Sequence, residues 1–100
     1  MRVLKTRQVS DWHDGLRDAV GRARITVLIQ RMQLEQFGDT KPSGDGVFEA
    51  RLHAGPGYRI YYFRSDKEIL VLLAGGDKGS QRADIAAALR TKSLFLEQSS

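Results

Sequence analysis

The stretch Val47–Asp77, VFEARLHAGPGYRIYYFRSDKEILVLLAGGD, decides how the chain is read. It contains three runs with strand character, VFEARL, YRIYYF and EILVLLA, separated by two short breaks, HAGPG and RSDK. Side chains alternate across a strand. Two-residue periodicity therefore puts Phe48, Ala50, Leu52, Tyr58, Ile60 and Tyr62 on one side, and Glu49, Arg51, Arg59 and Tyr61 on the other. The first set can build a core. The second shows two arginines, a carboxylate and a phenol, so chemistry is sought there. The third run, Ile69 to Ala74, is apolar at successive positions, which predicts a central strand covered on both faces.

Working outward, Gly55, Pro56 and Gly57 make a tight connection between the first two strands. Upstream lies FGDTKPSGDG, residues 37–46, whose three glycines and proline predict a loop. Before it, Ile25, Leu28, Ile29 and Met32 make an apolar stripe at helical spacing, predicting a helix from about Gly21 to Glu35 with Arg22, Arg24, Gln30 and Arg31 mainly on the other side. Val9, Trp12 and Leu16 predict an earlier helix over residues 7–16, with Trp12 as a core anchor. VLKT, residues 3–6, is a candidate edge strand. Downstream of GGD, glycines are expected to form a turn that positions Lys78. An alanine-rich helix then runs from Ser80, a candidate N-cap, to about Phe95, with Ile85, Ala88, Leu89 and Lys92 on one face.

One hundred residues make one domain, 1–100, which buries roughly two thirds of its unfolded surface and so favours a shallow surface site over a deep one. There is no cysteine, which excludes a disulfide framework, a thiolate nucleophile and zinc-finger spacing. Two isolated histidines, His13 and His53, do not make a metal site, and no cofactor is expected. No segment has the apolar core of a secretory signal or the length of a membrane span, so a soluble cytoplasmic protein is expected. The formal charge is +4. It is spread along the chain rather than gathered in a basic tail, and it fits a polyanion partner without requiring one.

The pieces VFEARL, GPGYRIYY, VLLAGGDKGSQRADI and FGDTKPSGDGV, in that setting of helix, helix, loop, three strands and helix, resemble the HigB-like (phage Gp49-type) killer proteins of the RelE/ParE toxin superfamily. The resemblance covers nearly the whole chain. It implies an α+β, microbial ribonuclease-type fold: an N-terminal helical hairpin on a three- to four-stranded, mainly antiparallel sheet, with a C-terminal helix. It further implies the toxin of a type II toxin–antitoxin module that acts as a ribosome-dependent endoribonuclease on messenger RNA. The implied partners are the ribosome, the messenger and a small helix-turn-helix antitoxin held in a hetero-oligomer. Relatives on the ParE branch instead poison DNA gyrase, which is the rival reading. Carried over by position, the family pattern falls on Glu49 and Arg51 of the first strand, Arg59 and Tyr61 of the second, and Lys78. The aromatic or histidine that many RelE-type enzymes carry near the C-terminus has no counterpart in TKSLFLEQSS beyond Phe95.

Cleavage by attack of a 2′-hydroxyl needs a base, cations for the charge growing on phosphate, and an acid for the departing 5′-oxygen. Arg51 and Arg59 on neighbouring strands suit a two-pronged phosphate clamp. Glu49, as the carboxylate of that face, is the candidate base. The acid is sought among Lys78, Tyr61 and His53, in that order, with Tyr61 better suited to stacking on a splayed base. Each also has an ordinary explanation: cross-strand pairing for Glu49, Arg51 and Arg59, sheet packing for Tyr61, and surface exposure for Lys78 and His53.

Overall fold

The computed structural model describes residues 1–99. In chain order the elements are β1 (Arg2–Lys5), α1 (Arg7–Asp14), α2 (Ala19–Gln33), β2 (Asp39–Gly44), β3 (Val47–Arg51), β4 (Arg59–Asp66), β5 (Ile69–Gly76), a 3-10 turn (Lys78–Ser80) and α3 (Gln81–Ser99). The strands form one sheet in the order β1-β5-β4-β3-β2. β1 runs parallel to β5, and the other neighbours are antiparallel. The class is α+β, as the pattern of elements predicts.

The sheet has five strands rather than three or four. FGDTKPSGDG, read as a loop from its glycines and proline, contains β2. Proline has no N–H to give a ladder, but β2 is an edge strand that pairs only with β3, and the register slips between Pro42 and Gly44. The edge strand expected over residues 3–6 is present one residue earlier, as β1 (Arg2–Lys5) at the opposite margin, with Thr6 capping α1 instead. β5 is central, as its doubly apolar sequence predicts: Leu70 and Leu72 enter one apolar cluster, Val71 and Leu73 the other.

Helix ends follow their caps. Asp18 accepts from the Gly21 N–H at 3.0 Å, which starts α2 two residues before the expected Gly21. The 3-10 turn is capped by Asp77 rather than by Ser80. The Asp77 carboxylate accepts from Gly79 N–H at 2.8 Å, and the Asp77 N–H donates to Ser80 Oγ at 3.3 Å.

The two apolar clusters lie on opposite sides of the sheet. One joins Val9, Ile25, Ile29 and Met32 to Ala50, Ile60 and Leu72. The other joins Val47, Tyr61, Phe63, Val71 and Leu73 to Ala88, with Ile85, Leu89 and Phe95 against it. The side that the sequence offers as an open polar face is therefore roofed by α3, whose own apolar stripe has to be covered. Phe48, assigned to the core by alternation, is partly exposed and stacks on Tyr62 with ring centroids 6.0 Å apart.

Gly75 and Gly76 are not turn residues but the last residues of β5. A Cβ at Gly75 would fall inside the Trp12 indole, and one at Gly76 would meet the Asp84 carboxylate. The missing side chain is what lets α1 seat its tryptophan on the sheet. Gly75→Ala is expected to destabilise the fold by about 1–3 kcal/mol through overpacking. Urea unfolding followed by Trp12 fluorescence measures this, and an unchanged midpoint contradicts the packing role.

Candidate anion-binding site

The β3–β4 register sets Arg51 directly opposite Arg59, and Glu49 opposite Tyr61. These four side chains therefore share one sheet face, but their surroundings differ.

Glu49 is enclosed, with 1% of its surface exposed. The Arg59 Nε donates to its Oε2 at 2.9 Å, and Gln81 Nε2 donates to both carboxylate oxygens at 3.3 and 3.2 Å. Lys41 Nζ stands 3.7 Å from Oε1. A carboxylate so saturated and shielded orients Arg59 and ties the first residue of α3 to the sheet. It does not face a substrate as a base. Tyr61 is fully buried, its hydroxyl has no hydrogen-bond partner among the described residues, and burial, reinforced by the charge of Glu49, pushes its pKa up to about 12. Neither stacking on an exposed base nor proton donation is open to a phenol in that position.

Arg51 looks the other way along the face. Its Nη2 donates to Asp39 Oδ1 at 2.9 Å, and the second Asp39 oxygen is hydrogen-bonded to His53 Nε2. The Arg51 hydrogen bond, then the His53 one, hold the Asp39 carboxyl below its ordinary value, and Asp39 in turn raises Arg51. The His53 side chain remains 72% exposed. With Nε2–H directed at the carboxylate, Nδ1 is left free to take a proton. The sequence reading missed Asp39 because it lies in the segment taken for a loop. In strand register it is the direct partner of Arg51, an opposite-charge cross-strand pair.

The connection from β3 to β4 closes with Leu52 N–H donating to Tyr58 O at 2.8 Å, and Gly57 takes the left-handed φ of 76° that this turn needs. The Pro56 carbonyl accepts from the Lys78 N–H at 3.3 Å. That bond brings the 3-10 turn against the loop. His53, Pro56, Gly57 and Lys78 then line a shallow hollow of about 450 Å³. A second, of about 490 Å³, is lined by Lys78, Gln81, Arg82 and Ile85. Lys78 stands where the two meet, exposed, and among the described residues neither it nor Arg82 makes an ion pair. The structure thus groups His53 with Lys78 and, through Asp39, with Arg51, while Arg59 and Glu49 form a more enclosed pair that meets this group where Arg59 Nη1 donates to Gly57 O at 3.3 Å. Gln81 and Arg82, at the start of α3, were not singled out in the sequence. Only the closeness of α3 to the sheet reveals them.

His13 is structural. Lys5 Nζ donates to its Nδ1 and its Nε2–H donates to Arg22 O, both at 2.9 Å, locking α1 to β1 and α2. Among the described residues no group of three or more His, Cys, Asp or Glu is placed to hold a metal ion, and no helix is long and apolar enough to cross a membrane.

The chain is 36% identical over 88 residues to an "Uncharacterized protein" of Haemophilus influenzae, an alignment covering 88% of this chain and 89% of that one. Residues 11–93, which include β2 to β5, the His53–Gly57 loop and Lys78, match the family described as "Phage derived protein Gp49-like (DUF891)". The chain belongs to the phage-derived Gp49-like family.

Proposed function

We propose that the chain is the toxin of a type II toxin–antitoxin module and cuts messenger RNA on the ribosome, with the Lys78 hollows as the phosphate path. The activity is extended to this chain from the HigB-like killer proteins that its sequence resembles. The observation that carries it is the Lys78 ammonium, which makes no ion pair among the described residues, between two hollows, one of which holds a histidine braced by a carboxylate.

The chemistry follows from those groups. The neutral His53 imidazole takes the proton of a 2′-hydroxyl at Nδ1 while Asp39 holds Nε2–H, so one tautomer is presented. The 2′-oxygen attacks the adjacent phosphorus and the bond to the 5′-oxygen breaks. The products are a 2′,3′-cyclic phosphate and a 5′-hydroxyl. Lys78 supplies positive charge as the phosphorane forms and a proton for the departing oxygen. Arg51 stands behind Asp39, and Arg82 carries the cationic track onward. A shallow groove of this kind suits a substrate strand presented by a larger particle.

The test is a translating extract given purified protein. Cut messenger ending in cyclic phosphate is the expected result, and Lys78→Ala is expected to lower the cutting rate about 10²-fold, the usual loss for one charge-stabilising donor. A second reading, a ParE-like gyrase poison without nuclease activity, is favoured by the neutralisation of Arg51 and Arg59 by Asp39 and Glu49. Intact messenger together with stalled gyrase supercoiling would establish that one instead.

A further inference from the structure

Helix α2 is apolar on two sides. Ile25, Leu28, Ile29 and Met32 face the core. On the opposite side Val20, Val27 and Leu34, the last at the helix C-cap, are 64%, 43% and 70% exposed. They recur at intervals of seven, so they form one line along the helix. A surface helix normally turns charged or polar residues outward, and an outward heptad line of apolar residues signals a surface that packs against something. Beside the line lies an open groove of about 560 Å³ whose walls include Val20, Ala23, Val27 and Leu52.

Two arginines, Arg24 and Arg31, also line this groove, and no carboxylate does. The carboxylates at the two ends of α2 are engaged elsewhere. Asp18 caps the helix and accepts from the Tyr58 hydroxyl at 2.9 Å, and Glu35 pairs with Arg64 at 3.5 Å. This charge pattern selects the occupant. A second copy packing α2 on α2 about a two-fold axis sets these arginines against their own kind, which costs rather than gains. A helix with apolar residues at heptad spacing and Asp or Glu on its flanks satisfies both the apolar line and the cations.

We propose that the α2 groove is the docking surface for an acidic amphipathic helix of another protein. The groove continues, through a small hollow lined by Val20, Arg24, Ala54, Gly55 and the Asp18 carboxylate, which is already engaged by Gly21 N–H and the Tyr58 hydroxyl, to the back of the loop that carries His53. A bound helix long enough to follow it reaches that loop. The docking surface is built from α2 and Leu52 and contains none of the residues proposed to cut RNA, so it stands whether or not the chain does so.

The test uses two synthetic helical peptides of about three heptads with leucine at both core positions, one carrying Glu and the other Lys at the flanking positions. Against the full chain, the Glu peptide is expected to bind and to shift backbone amide resonances along α2 and at Leu52. The Lys peptide is expected to bind at least about tenfold more weakly. Val27→Asp, at an exposed position, is expected to abolish binding with the unfolding midpoint unchanged. The double variant Arg24→Glu/Arg31→Glu is expected to reverse the preference toward the Lys peptide. The proposal is overturned if neither peptide binds, if both bind equally, if the shifts map away from α2, or if the chain self-associates and Val27→Asp disperses it, which would make the occupant a second copy.

Discussion

His53→Ala is expected to lower messenger cleavage by about 10²- to 10⁴-fold, the range that a positioned acid–base group contributes, while leaving the unfolding midpoint where it is. The second half of that expectation comes from exposure: a side chain 72% open to solvent supports little of the core. Asp39→Asn is expected to produce a smaller loss, because it keeps a hydrogen-bond acceptor near Nε2 but removes the charge that steadies the imidazolium. It also breaks the 2.9 Å contact to Arg51, so some loss of stability accompanies it. The pH dependence has a definite sign. The carboxyl of Asp39 is lowered in the folded state, chiefly by the Arg51 hydrogen bond. Its pairing therefore supports the fold above the ordinary carboxylate range and is lost as pH falls through the lowered value. Asp39→Asn should then flatten the acid limb of the stability curve. Cleavage by His53→Ala at the parent rate would remove the histidine from the mechanism, and a lowered midpoint would show that the His53–Asp39 contact is structural.

The strands of Val47–Asp77 were legible because their alternation and doubly apolar third run have no competing helical period. β2 was not legible. Gly and Pro speak for a loop in any local reading, and only the pairing of Asp39 with Arg51 and Thr40 with Ala50 turns the segment into a strand. The glycines of β5 misled for a related reason. A glycine that makes room for Trp12 from a distant helix is indistinguishable, in sequence, from one that makes a turn. The candidate site was half legible. Alternation placed Glu49, Arg51, Arg59 and Tyr61 on one face correctly, but it says nothing of what covers that face. Covering by α3 separates the buried pair Glu49–Arg59 from the exposed group around Lys78. The covering stripe, Ile85, Ala88 and Leu89, was visible as the face of a helix, although its target was not.

That separation makes the response to changes at Glu49 the sharpest way to tell burial from chemistry. Glu49→Ala leaves the Arg59 guanidinium, whose side chain is only 12% exposed, without its carboxylate. Breaking one partner out of such a pair costs about 3–5 kcal/mol. In a domain whose whole stability is about 5–15 kcal/mol, that is a large fraction. The urea midpoint of Glu49→Ala is therefore expected to fall steeply. Replacing both partners with apolar residues of similar volume, Glu49→Leu with Arg59→Met, is expected to restore most of the loss, since no charge is then left stranded. A catalytic base behaves in the opposite way: Glu49→Gln, nearly isosteric and able to accept from Arg59, would abolish cleavage while keeping the fold. With Glu49 acting through structure, Glu49→Gln at a temperature where it remains folded is expected to retain cleavage within about tenfold, a difference of about 1.4 kcal/mol in barrier. Retention in the glutamine variant, with collapse in the alanine one, assigns the carboxylate to holding Arg59 and α3 against the sheet. Loss of cleavage in a fully folded Glu49→Gln would return it to the chemistry, and would require α3 to lift its first turn for the substrate to reach it.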